Sequence, residues 1–135
     1  MEARFLLDTN ICIYIRRQQP AQVMARFRRL KAGEAALSVV TYGELLYGAE
    51  KSPTRTRAFR ELDELASMMQ VLPLPPEAAR MYGSIRAALE ARGEMIGAND
   101  VWIAAHAKAT DLTLVTNNER EFKRVAGLNI QNWTA

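Results

Sequence analysis

Short apolar runs alternate along this chain with segments whose apolar residues recur every three or four positions, and most stretches joining one run to the next are too long for hairpin loops. Few architectures satisfy that alternation. Strands joined through a helix run parallel, because a tight hairpin is what reverses direction, and a parallel sheet needs helices on both faces. The strand-like runs are Phe5-Leu6-Leu7, Leu37-Ser38-Val39-Val40 and Leu112-Thr113-Leu114-Val115. Val71-Leu72-Pro73-Leu74 adds a short extended segment and Leu128-Asn129-Ile130 a last edge strand.

Helical stripes are carried by Ile11, Tyr14 and Ile15, and by Val23, Phe27 and Leu30, the second closed by Gly33. Phe59, Leu62, Leu65 and Met69 mark another, as do Met81, Tyr82, Ile85 and Leu89, which start after Pro75-Pro76 and stop at Gly93. Further helices open at Thr41 and near Asn99-Asp100, and a short one runs through Phe122 and Val125. The expectation is an α/β fold, one domain over residues 1–135, built on a central, mostly parallel sheet.

Composition narrows the function classes. The longest apolar runs, Ile11 to Ile15 and Val101 to Ala105, are far too short for a membrane span or a secretory segment, so a cytoplasmic protein with no membrane partner is expected. Cys12 is the only cysteine, which removes disulfides and CxxC zinc sites, and its flanking isoleucines place it in the core. The net charge of +3 is unevenly spread. Seven basic residues (Arg4, Arg16, Arg17, Arg26, Arg28, Arg29, Lys31) against Glu2 and Asp8 give the first thirty-one residues +5, leaving −2 for the rest. A basic lobe of that kind suits a polyanion such as RNA, and equally well a solvated arginine face on two helices.

In an open parallel sheet, ligands bind beyond the carboxyl ends of the strands. Asp8 directly follows the first strand, Glu44 stands where the second gives way to helix, and Asn118 and Glu121 follow the Leu114-Val115 run. Asp100 opens a helix that can face the same rim. Each also has a local explanation. Asp8-Thr9-Asn10 can cap the first helix, Thr41 and Glu44 fit a capping box, and Asn99-Asp100 suits a helix start. Convergence favours a site: carboxylates focused on one crevice repel one another unless a cation neutralises them.

Hard oxygen ligands without a second histidine or cysteine point to Mg²⁺ or Mn²⁺ rather than zinc, and such a site suits phosphoryl chemistry. Rival chemistries fail on inventory. His106 is the only histidine, so a two-histidine ribonuclease mechanism lacks a partner. At ~100° per residue it lies roughly 120° around the helix from Asp100, and it reads as a packed or surface residue. Gly43 to Gly48 has the glycine spacing of a P-loop, but Ala49-Glu50 replaces the lysine and hydroxyl residue.

Four ordered segments carry a resemblance. Phe5-Leu6-Leu7-Asp8-Thr9-Asn10, Thr41-Tyr42-Gly43-Glu44-Leu45, Ile96-Gly97-Ala98-Asn99-Asp100 with Trp102-Ile103-Ala104-Ala105-His106, and Leu114-Val115-Thr116-Asn117-Asn118 with Arg120-Glu121-Phe122 span almost the whole chain, and Trp133 fits the usual ending. At these residues the sequence resembles PIN-domain ribonucleases, specifically VapC-type toxins of bacterial toxin–antitoxin pairs.

The resemblance implies a PIN-like α/β/α sandwich with an acidic pocket that holds Mg²⁺ or Mn²⁺ and hydrolyses RNA phosphodiesters. It makes Asp8 and Asp100 catalytic metal ligands and Glu44 a catalytic residue that holds the metal through water or orients the attacking water. Asn118 stands where many members carry a fourth aspartate, with Glu121 nearby; an amide adds no charge, so one metal or two is left open. Thr116 either hydrogen-bonds the rim carboxylates or packs at the strand end. The implied partners are a VapB-type antitoxin presenting a cation to the pocket, a second copy of the chain meeting Phe59 or Tyr47, and an RNA such as the anticodon stem-loop of initiator tRNA. A non-catalytic RNA- or partner-binding module and a metal-dependent phosphatase are the alternatives.

Overall fold

β1 (Phe5–Leu7), the most central strand, is buried along its whole length. The computed structural model describes residues 2–135; Met1, the first residue of the expected domain, lies outside the described residues. After β1 come α1 (Thr9–Arg17), α2 (Ala21–Arg28), β2 (Ala35–Ser38), α3 (Val39–Glu50) and α4 (Arg55–Ser67). β3 (Gln70–Leu72), α5 (Glu77–Arg92), α6 (Ala98–Thr110), β4 (Thr113–Val115), α7 (Glu119–Phe122) and β5 (Ile130–Gln131) complete the order.

The five strands form one sheet in the order β3-β2-β1-β4-β5, and every pairing is parallel. Alternation along each strand divides the core in two. Phe5, Leu7, Ala35, Leu37 and Val115 face α1, α2 and α4 through Ile11, Cys12, Val23, Leu62 and Leu65. Leu6, Ala36 and Leu114 face the other way, onto Ile85, Leu89, Val101, Ile103 and Phe122 of α5, α6 and α7. Helices therefore cover both faces, as the sequence predicted, and the strands read as near-continuous apolar runs because neither face is solvated.

Several boundaries moved. Val39 and Val40 belong to α3 rather than to a strand. Ser38 pairs with Leu72 at the end of the sheet, and its hydroxyl then accepts the Val40 N–H at 3.1 Å, so the helix starts there. The Thr41–Glu44 capping box is consequently absent: Ser38 is the cap and Thr41 lies buried inside the helix. Gly33 does not close α2, which ends at Arg28; with φ at 90° it serves the turn into β2, where a side chain would be strained. Gly93 ends α5 in the left-handed conformation, as expected. The last strand starts two residues later than expected, at Ile130, which lies opposite Leu114, and ends one later, at Gln131.

Cys12 is fully buried, and burial first, then the nearby Asp8 charge, push its thiol up, so it stays an inert core residue. Residues of the basic lobe make several separate contacts. Arg4 pairs with Glu34, Arg26 donates to Gln131, Arg16 lines a groove beside Glu44, and Arg28 and Lys31 border a separate hollow with Met68.

His106 is completely buried, with Nδ1 2.8 Å from Ser38 Oγ, while its Nε2 and the Thr41 hydroxyl have no hydrogen-bond partner among the described residues. An unpaired buried polar atom costs about 1–3 kcal/mol. Desolvation also holds the imidazole below its usual range, so it is neutral at pH 7. The folded state thus binds this proton less readily than the unfolded chain, and the stability it contributes above pH ~6.5 is lost as pH falls. Between about pH 7 and pH 5, wild-type melting temperature is expected to fall more steeply than that of His106→Leu, as thermal scans in matched buffers would reveal.

Candidate active site

The strand order dictates where a crevice forms. From β1 the chain builds outward through β2 and β3, then returns to lay β4 and β5 on the opposite side. The connections leaving β1 and β4 therefore diverge, and the gap opens at the carboxyl ends of these two strands. Asp8 is the residue after β1 and Thr116 the residue after β4; the Asp8 N–H donates to Val115 O at 3.0 Å, closing the sheet beneath them.

Asp8 combines two roles that the sequence offered as alternatives. It caps α1, Oδ1 accepting the Ile11 N–H at 2.9 Å, and it lines the cleft. Burial raises its carboxyl above the ordinary range; the Thr116 hydroxyl and the amides of Ile11 and Asn10 partly oppose this, and the Glu44 charge adds to it. Thr116, fully buried, therefore holds a rim carboxylate, and its oxygen also accepts the Asn118 N–H at 2.9 Å.

α3 carries Glu44 to the same crevice from the β2 side, where its Oε1 accepts the Thr9 hydroxyl at 2.7 Å. From the opposite wall comes Asp100, in the first turn of α6. Its carboxyl is pushed up to about 6, first by burial, then by the charges of Glu44, Glu121 and Asp8. Four carboxylates far apart in the chain thus act on one another. Asn118 lies on the cleft wall and donates to Glu121 Oε2 at 3.0 Å, holding that carboxylate close to Asp100.

The cleft has a volume of about 190 Å³ and is lined by Asp8, Thr9, Asn10, Glu44, Asp100, Asn118 and Phe122. Glu44 and Thr9 also border the neighbouring groove between α1, α3 and α4, about 260 Å³, into which Arg16 and Arg57 face. Among the described residues, no three acidic, histidine or cysteine side chains are closed up into a preformed cage. An open set of hard oxygens fits an ion that keeps several of its waters and takes one or two carboxylates directly. Its surplus negative charge, visible in the raised Asp100 carboxyl, is what a divalent cation would relieve.

Sequence reasoning missed the residues that hold the site together. The sequence offers Thr9 only as part of the string that can cap the first helix, but its hydroxyl fixes Glu44. Asn117 accepts from Asn10 at 3.5 Å and donates to the Tyr14 hydroxyl at 2.9 Å, tying α1 to the loop after β4. The Asp8-Thr9-Asn10 string was the available signal for Thr9. Nothing local marks Tyr14 and Asn117, because their contact exists only in the folded chain.

Known proteins share the sequence family and the fold. Residues 5–128 match the PIN domain family. The "tRNA(fMet)-specific endonuclease VapC" of Shigella flexneri is 44% identical over 131 residues, spanning 97% of this chain and 98% of that protein. The "Ribonuclease VapC2" of Haemophilus influenzae (strain ATCC 51907 / DSM 11121 / KW20 / Rd) is 42% identical over 130 residues, spanning 96% and 98%. Among solved structures, DNA-bound VapBC from Salmonella typhimurium superposes with a TM-score of 0.91 at 39% identity, covering 97% of this chain and 98% of that one. VapBC2 from Rickettsia felis, bound to a DNA fragment from its promoter, gives 0.86 at 34% identity, with 96% and 98% covered.

Proposed function

The chain belongs to the PIN domain family and within it to the VapC ribonucleases, the toxins of toxin–antitoxin pairs, and from that premise we propose that Asp8, Glu44 and Asp100 are its catalytic residues, acting with Mg²⁺, for which Mn²⁺ can substitute. The observation that carries the assignment is the convergence of these three carboxylates, from β1, α3 and α6, on one cleft.

Asp8 and Asp100 would hold the metal directly; Glu44 would act through water or orient the attacking water. A divalent ion held there would supply neutralisation of the charge that builds up on the phosphate and the leaving oxygen. The side chains do the rest. Glu44, fixed by Thr9, is aimed into the cleft and can accept a hydrogen bond from a water there. That water bonds to phosphorus and gives up a proton to solvent, the bond from phosphorus to the 3′ oxygen breaks, and the oxygen leaves as a hydroxyl with a proton taken from solvent. The Thr116 hydroxyl offsets part of the upward push that burial gives the Asp8 carboxyl, and Asn118 and Glu121 support the Asp100 wall.

The substrate proposed is RNA, with the anticodon stem-loop of initiator tRNA as the specific target, as the name of the Shigella flexneri relative supports. A VapB-type antitoxin is the proposed protein partner, in line with the VapBC assemblies solved for relatives. A cation presented by that antitoxin would satisfy the desolvated carboxylates. Homodimerisation is proposed through α3, where Tyr47 and Val39 are 65% and 44% exposed; Phe59 instead packs against the core. No helix among the described residues is long and apolar enough to cross a membrane, and a cytoplasmic, single-domain toxin is the reading adopted.

Incubating the purified chain with initiator tRNA, an elongator tRNA and a nucleotide monoester tests this directly. Cleavage of the initiator tRNA in its anticodon loop, with the elongator cut at least about tenfold more slowly, is the expected result. Turnover of the monoester alone would establish a phosphatase instead, and metal-independent binding without cleavage a binding module.

A further inference from the structure

Behind the acidic cleft lies a buried polar contact that forms none of its walls. His106 sits on α6 six residues after Asp100, and its Nδ1 approaches the Ser38 hydroxyl at 2.8 Å. That hydroxyl also caps α3, accepting the Val40 N–H at 3.1 Å, and α3 presents Glu44 six residues beyond Ser38. One oxygen thus joins the end of β2, the first turn of the glutamate's helix and the body of the aspartate's helix.

The contact is costly to keep. Among the described residues, His106 Nε2 and the Thr41 hydroxyl are both fully buried without partners, two unsatisfied polar atoms that apolar side chains of similar volume would not carry. Polarity retained here against stability calls for a return elsewhere. On its far side Glu44 is already fixed by Thr9 of α1, so the remaining freedom in the Glu44–Asp100 separation is movement of α3 against α6.

Resting on the assignment of the acidic cleft above, we infer that His106 is a positioning residue for the metal site: through Ser38 it clamps the start of α3 to α6 and thereby sets the distance from Glu44 to Asp100. It does not reach the cleft and moves no proton there. Its contribution is geometric.

Mn²⁺ affinity of the full chain, measured by titration calorimetry, provides a readout that does not depend on cleavage. His106→Leu is expected to weaken Mn²⁺ binding about tenfold, the low end for groups that orient metal ligands, with melting temperature unchanged or higher. His106→Asn, whose short amide reaches the position of Nδ1, should recover affinity to within about twofold of wild type. In a Glu44→Gln background, His106→Leu should add nothing, because the distance it sets no longer matters. On RNA, kcat should fall with KM unchanged.

Wild-type Mn²⁺ affinity in a folded His106→Leu would overturn the inference. So would an equal loss in both backgrounds, or a loss that tracks a fall in melting temperature. If His106→Leu does not fold, His106→Met, apolar and of similar volume, leaves the Ser38 cap of α3 in place and carries the same comparison, with the same outcomes deciding. A wild-type chain that binds no Mn²⁺ would defeat the metal-site assignment itself; binding by wild type with indifferent variants would defeat this inference alone.

Discussion

Asp100→Asn is expected to abolish RNA cleavage while making the metal-free protein more stable. The loss follows from the ligand charge: metal-assisted stabilisation of a phosphoryl transition state is worth several kcal/mol, and losing it corresponds to roughly 10³-fold or more in rate. The gain follows from the same charge. Asp100 is pushed up to about 6 by burial and by Glu44, Glu121 and Asp8. The folded state therefore holds this proton more tightly than the unfolded chain, so the associated stability is present below pH ~4 and lost as pH rises through about 6.

At pH 7.5 the uncharged amide escapes that cost. Discounted for partial exposure, the benefit is about 1 kcal/mol, or roughly 3 °C in melting temperature. Thermal scans should therefore place metal-free Asp100→Asn above metal-free wild type, and added Mg²⁺ should raise only the wild type. Asp8→Asn should be equally inactive yet folded, because asparagine retains the oxygen that caps α1 through the Ile11 amide. A folded Asp100→Asn protein that still cut RNA would remove the basis of the assignment.

Chelation should produce an effect as large. Excess EDTA is expected to bring cleavage to background, and Mg²⁺ or Mn²⁺ to restore it, because the carboxylates alone cannot neutralise a transition state that is itself anionic. The products should carry 5′-phosphate and 3′-hydroxyl ends, since water rather than the neighbouring 2′-hydroxyl attacks phosphorus. End-mapping by ligation reads this chemistry directly. Ends that are 2′,3′-cyclic phosphates would point to attack by the 2′-hydroxyl, which this chain has no pair of histidines to support.

How far the sequence reached varies with the range of the interaction concerned. The strand cores and the Asp8 cap were legible because they depend on residues within one turn or one strand of each other. The α3 boundary was misread for an instructive reason. Val39-Val40 has strong strand propensity, but β2 runs out of partners at Ser38, and an unpaired strand end with a hydroxyl cap becomes a helix. Glu44 does line the cleft, though its capping-box explanation disappeared with that boundary, leaving its hydrogen bond to Thr9.

By itself, then, the sequence determined the class of fold, the carboxylates at the strand ends and the absence of a second histidine, since these follow from local periodicity and from inventory. Only the tertiary structure decided which side of the sheet each helix covers and that Asp100 feels the charges of Glu44, Glu121 and Asp8. It also brought Thr9 to Glu44 and His106 to Ser38. Such pairings come from parallel crossovers that join residues dozens of positions apart, and their energies depend on distance and desolvation, which no local pattern of residue types encodes.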